Sequence, residues 1–128
     1  MSEKKYILAV DDEAINLDIM KELLEGDYDL TCVSCGEACI QSIMEKIPEL
    51  ILLDVNMPGL NGLEVCQQIR AEERSKNIPI VFVSALANDS ERLAGYDAGG
   101  DDYVTKPFDE DELLHKIKLQ IANQEQKK

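Results

Sequence analysis

Asp11-Asp12, Asp54, Ser84 and Lys106-Pro107 each stand directly after a short strand-like run in this chain. If those runs are neighbouring parallel strands, three carboxylates, one hydroxyl and one ammonium gather at a single end of a sheet. Carboxylates packed together repel, and one or more takes up a proton unless a cation joins them. An acidic pocket made only of oxygen suits a hard divalent ion. Mg²⁺ prefers one or two carboxylates, several waters and a phosphate oxygen. Lys106 would then serve as a point charge for that phosphate and Ser84 as a hydroxyl donor. A carboxylate can also attack phosphorus, with the metal cancelling repulsion between two anions. Each residue has a plainer use as well: Asp11 or Asp12 as a helix cap, Lys106 as a surface charge.

The elements needed to position these groups are legible. Strand patterns fall at 6–10, 29–33, 50–53, 80–83 and 102–105, and helical patterns at 14–25, 36–46, 62–73, 89–98 and 110–122. Strict alternation of strand and helix implies a parallel sheet with helices on both faces. Continuous runs such as Ile51-Leu52-Leu53 and Ile80-Val81-Phe82-Val83 fit strands covered on both sides. Ser34 with Glu37, Asn61 with Glu64 and Asp109 with Glu112 match capping boxes, and Phe108 and Leu113 are spaced as a hydrophobic staple. Ile15, Ile19 and Leu23 form one apolar stripe and Leu113, Ile117 and Ile121 another, both read as core. In such sheets ligands bind beyond the carboxyl ends of the strands, where strand order reverses.

The 128 residues fit one domain. We place it at 1–122, with a polar tail at 123–128 expected to fray. A formal charge of −13, from 26 acidic and 13 basic residues, argues against nucleic acid or anionic membrane as a direct partner. No apolar run reaches the roughly 18 residues of a membrane span, and no signal-peptide core is present, so a cytoplasmic location is expected. Cys32 and Cys35 form a lone C-x-x-C without a second pair or a nearby histidine. Cys39 and Cys66 fall on apolar helix faces. All four are read as structural, and the single histidine, His115, as a surface or packing residue.

Across its whole length from Tyr6 to about Ile121 the chain resembles the receiver domain of two-component response regulators. The resemblance rests on Val10-Asp11-Asp12, Leu53-Asp54-Val55-Asn56-Met57-Pro58-Gly59, Val83-Ser84-Ala85 and Gly100-Asp101-Asp102-Tyr103-Val104-Thr105-Lys106-Pro107-Phe108, in that order and spacing. It implies a flavodoxin-like, doubly wound fold with a five-stranded parallel sheet in the order 2-1-3-4-5. It implies Asp54 as phosphoacceptor and a Mg²⁺ ion held by Asp12, Asp54 and the backbone carbonyl of Asn56, with Asp11 acting mainly through water. Lys106 would follow a strand through a cis peptide that aims it inward. Ser84 and Tyr103 would be the switch pair, Tyr103 turning inward as the fourth helix, fifth strand and fifth helix rearrange.

The implied donor is a phosphohistidine on a sensor histidine kinase or phosphotransfer protein, landing near Ala14-Ile15 and Pro107-Phe108. The chain would be no enzyme in the ordinary sense, though it would assist its own phosphorylation and dephosphorylation. It would be a monomer or a phosphorylation-dependent dimer. Two alternatives belong to other classes. A haloacid-dehalogenase-like phosphatase wants a second aspartate two residues past the nucleophile, where this chain has Asn56. A flavodoxin-like cofactor carrier wants a hydroxyl- and glycine-rich phosphate loop after the first strand, where it has Asp-Asp-Glu.

Overall fold

The computed structural model describes residues 4–85 and 89–126. Ten elements alternate along it: β1 Lys5–Val10, α1 Ala14–Leu24, β2 Tyr28–Val33, α2 Gly36–Glu45, β3 Leu50–Asp54, α3 Gly62–Ala71, β4 Ile80–Ser84, α4 Asp89–Ala98, β5 Asp102–Thr105 and α5 Glu110–Gln126. All strand pairs are parallel, in the order β2-β1-β3-β4-β5. This is the expected doubly wound sheet.

Strand side chains alternate between two cores, as the period of two requires. Leu8, Val10, Ile51, Leu53 and Phe82 face a cluster closed by Cys39 and Ile43 of α2, Val65, Cys66 and Ile69 of α3, and Ala98 of α4. Ile7, Ala9, Leu50, Leu52, Val81 and Val83 face a second, closed by Met20 and Leu24 of α1 and Leu113, Ile117 and Ile121 of α5. Every residue of β3 and β4 is buried, which explains their unbroken apolar runs. The edge strand β2 is mostly half-buried.

Three local expectations need correction. Ile15 and Ile19 are not core: they are 74% and 39% exposed, while Met20 and Leu24 are fully buried. At 100° per residue the two isoleucines lie about 150° around the helix from the Leu17-Met20-Leu24 line, so only one of the two apolar edges can meet the sheet. Ser34 does not cap α2. The N-cap is Cys35, without a side-chain hydrogen bond. The helix starts at Gly36, packed against Leu60 and Val65 so closely that a Cβ would lie 2.7 Å from a Val65 methyl. Third, α5 does not stop near residue 122 but continues through Gln126; glutamine and glutamate sustain a helix well enough to carry it on.

The Asn61–Glu64 box forms as expected, with Glu64 N–H donating to Asn61 Oδ1 at 2.9 Å and Asn61 N–H to Glu64 Oε1 at 3.0 Å. It sets the start of α3 hard against the end of β3. Gly62 N–H donates to Val55 O at 2.9 Å, and a Cβ on Gly62 would lie 2.1 Å from the backbone oxygen of Asp54.

Candidate functional site

The polar residues picked out above meet at the carboxyl end of the sheet. Strand order reverses between β1 and β3; Asp11 directly follows β1 and Asp54 ends β3. Asp54 is the last residue of β3, aligned with Val83, and Ser84 the last of β4, aligned with Thr105. Lys106 follows β5, with its backbone N–H donating to Ser84 O at 2.8 Å. The sheet ladder therefore runs into the site and holds its members at fixed separations. The Lys106-Pro107 peptide is cis.

One carboxylate oxygen from each of Asp11, Asp12 and Asp54 lies within 4.8 Å of the other two. Asp11 and Asp54 are buried, and Asp12 is exposed at the rim. Asp11 Oδ1 accepts from Glu13 N–H at 2.9 Å, an Asx-type turn that leads into α1. The residue thus has the local anchoring job its position allowed as well as a place in the cluster. Among the described residues Lys106 is the one ammonium paired with these acids. Its Nζ stands 2.8 Å from Asp11 Oδ2, 3.3 Å from Asp54 Oδ1 and 4.0 Å from Glu13 Oε1.

Apart from this ion pair, the buried Asp11 Oδ2 receives no hydrogen bond among the described residues. Buried carboxylate oxygens are costly to leave so. An oxygen with open lone pairs, a buried neighbour in Asp54 and a solvent-facing third carboxylate in Asp12 suit a divalent ion that keeps part of its water shell.

Charge is out of balance here. Burial, reinforced by Asp11 and partly opposed by Lys106, pushes the Asp54 carboxyl up to about 7 from an ordinary 3.8. For Lys106, burial works against the ammonium, but Asp11 and Asp54 outweigh it and the net shift is upward. A cation at the cluster would relieve the Asp54 carboxylate in the way a single lysine does not.

Ser84 and Tyr103 are brought together by a residue the sequence did not single out. Ser84 is fully buried, and its hydroxyl donates to Glu91 Oε1 at 2.6 Å. The Tyr103 hydroxyl donates to the same oxygen. Tyr103 is already inward, 2% exposed. Its ring lies 6.5 Å from that of Phe82, with the Arg92 guanidinium 5.6 Å above it. Glu91 sits in the first turn of α4, where an acid needs no explanation beyond the helix dipole, so its spacing from Ser84 carried no signal. Asn56 lies exposed in the loop beyond β3. The Ala14-Ile15 corner is exposed beside the cluster, with Pro107 also exposed and Phe108 half-buried. The cysteines are free thiols; Cys39 and Cys66 are buried, and burial pushes them up to about 12 and about 11. None takes part in a metal-binding group among the described residues.

Comparison with known proteins agrees with this geometry. Residues 7–118 match the model of the response regulator receiver domain. The response regulator ArlR of Staphylococcus saprophyticus is 35% identical over 123 residues, 96% of this chain and 54% of the relative. The chain thus spans about half the length of that curated relative. Among solved structures, a CheY-like receiver domain protein from Methanospirillum hungatei superposes with a TM-score of 0.90 at 27% identity, covering 98% of this chain and all of the other. The receiver domain of a sensor histidine kinase from Pseudomonas aeruginosa, with a magnesium ion in its active-site cleft, gives 0.87 at 30% identity over 94% of this chain and 99% of its own. Neither the phosphatase nor the flavin-carrier alternative is favoured by these likenesses. The chain belongs to the response regulator receiver domains, the phosphoacceptor modules of two-component signalling.

Proposed function

We propose that Asp54 is the residue phosphorylated, that Asp11, Asp12 and Asp54 hold Mg²⁺ with the backbone carbonyl of Asn56, and that a phosphohistidine of a sensor kinase or phosphotransfer protein is the donor. The observation that carries this reading is the buried, raised Asp54 carboxyl within 4.8 Å of two more carboxylates and facing one lysine. The bound divalent ion supplies charge neutralisation, letting an anionic nucleophile approach an anionic donor. A carboxylate oxygen of Asp54 forms the new bond to phosphorus as the P–N bond of the donor imidazole breaks, and the departing nitrogen keeps the electron pair. Lys106 offers its ammonium to the incoming phosphoryl oxygens, and Ser84 its hydroxyl. The product carries about −1.5 to −2 charges and three acceptor oxygens. Ser84 and Lys106 contact phosphoryl oxygens in that state alone, the differential interaction a population shift requires.

The rearrangement reaches the α4-β5-α5 face, where Leu93, Tyr96 and Leu119 are exposed. The exposed Ile15 beside the cluster fits the donor's landing area. Hydrolysis of the acyl phosphate within the same pocket returns the domain to rest. The receiver extends through the end of α5 at Gln126 and works in the cytoplasm. It acts as a monomer or as a dimer formed on phosphorylation, with no direct nucleic-acid contact. No helix among the described residues is long and apolar enough to cross a membrane.

Incubation with acetyl phosphate and Mg²⁺ tests the assignment. Wild type is expected to gain one phosphoryl group by intact mass, and Asp54→Asn none while keeping its circular dichroism. A phosphoryl gain in the Asn variant would move the acceptor elsewhere.

A further inference from the structure

We propose that Glu91 is the positioning residue of the switch: a carboxylate on α4 that holds the hydroxyls of Ser84 and Tyr103 and must release Ser84 before the phosphoryl group on Asp54 can be bound. The inference rests on the reading of Asp54 as phosphoacceptor.

Proton counting carries the argument. A serine hydroxyl has one proton to donate, and so has a tyrosine hydroxyl. In this conformer both hydroxyls donate to one oxygen, Glu91 Oε1, from the end of β4 and from β5. The Ser84 proton is committed to Glu91. A phosphoryl oxygen on Asp54 asks for the same proton. Ser84 cannot serve both acceptors, and its rotation toward Asp54 breaks the bond to Glu91. Because Ser84 and Tyr103 are buried and hydrogen bonds to a charged acceptor are roughly twice as strong as neutral ones, that release is a real cost of activation. It is also a direct route from Asp54 to α4: once Ser84 has turned away, Glu91 keeps the Tyr103 proton and this hydrogen bond between the β4 end and the first turn of α4 is gone. Tyr103 stays with Glu91. Its ring is gripped by Phe82 and Arg92, and burial together with Glu91 pushes its hydroxyl up to about 12, so the proton remains on it at neutral pH.

If the Ser84–Glu91 bond opposes activation, removing its acceptor makes activation easier, and this is opposite to what a merely structural role would do. The test is the apparent affinity for beryllofluoride in saturating Mg²⁺, measured by NMR titration on wild type, Glu91→Gln, Glu91→Ala, Ser84→Ala and the Ser84→Ala/Glu91→Ala double variant. Glu91→Ala is expected to bind about tenfold more tightly than wild type, the factor set by losing one charge-assisted bond from the resting side. Glu91→Gln keeps the volume and a neutral oxygen acceptor, so it guards against a folding defect and should gain about threefold. In the Ser84→Ala background the Glu91→Ala gain should shrink to less than about twofold. Unchanged or weaker binding by both Glu91 variants overturns the inference alone, as does a full gain that persists without Ser84. Failure of wild type itself to take up beryllofluoride brings down the Asp54 assignment, and this inference with it.

Discussion

Two acidic groups at opposite ends of the sheet show what separates a structural carboxylate from a chemical one. Asp101 and Asp102 stand at the start of β5, and each is matched. Asp101 Oδ2 accepts from Arg70 and from Ile80 N–H, both at 2.8 Å. Asp102 Oδ1 accepts from Tyr103 N–H at 2.8 Å and pairs with Lys116 at 3.2 Å. Two carboxylates there have two cations and two backbone donors. At the other end Asp11 and Asp54, with Asp12 beside them, share Lys106, and one buried oxygen of Asp11 has no hydrogen bond beyond that lysine. The same side-chain chemistry ties down the entry to β4 and β5 in one place and leaves room for a cation in the other. What differs is the supply of donors.

The contrast can be broken from either side. Asp12→Ala removes the exposed member of the deficient group. It is expected to weaken Mg²⁺ by on the order of a hundredfold, about 2.7 kcal/mol, in titration calorimetry, without loss of thermal stability in chelator. A fall in the melting midpoint would make Asp12 structural after all. Asp101→Ala leaves Ile80 N–H without its acceptor at a buried strand and takes one partner from Arg70. A loss of about 2 kcal/mol is expected from the urea midpoint, with Mg²⁺ affinity and phosphoryl uptake preserved; impaired uptake in folded protein would extend the functional site to that end. The third effect is in pH. The folded-state carboxyl of Asp54 lies above its ordinary 3.8, at about 7. Between those values the folded chain holds the proton more readily than the unfolded one. The stability from this group is therefore present below about pH 4 and lost as pH rises through 7. In chelator, the unfolding free energy of Asp54→Asn minus that of wild type should widen from pH 4 to 7 and level off above. A flat difference would mean that Asp54 is balanced by Lys106 alone.

Much of this was legible in the sequence, for reasons that can be located. Unbroken apolar runs mark strands covered on both faces, and β3 and β4 are buried throughout. The residue after each run is forced to the strand's carboxyl end, and this alone brought Asp11, Asp54, Ser84 and Lys106 together. Two of the strands run one residue further than their apolar character suggests, because Asp54 and Ser84 are themselves paired in the sheet. Side-chain choices between equivalent faces were not legible. In α1 both Ile15-Ile19 and Leu17-Met20-Leu24 have helical spacing, and only docking against the sheet decides which is covered. Glu91 was invisible for a related reason: an acid in the first turn of a helix has a sufficient local use, and its link to Ser84 and Tyr103 exists only once β4, β5 and α4 are assembled.

The contact of Gly62 with the Asp54 carbonyl has a consequence for how this chain can vary. The backbone carbonyl of Asp54 and the first residue of α3 share a wall with no space for a single methyl group. Alanine at 62 would add no charge, yet it would lever the strand end, and the Asp54 side chain riding on it, out of line with its partners. A silent-looking hydrogen is thus as much a condition for the geometry of the pocket as any acid in it, and sequence drift at that point is closed off by backbone alone.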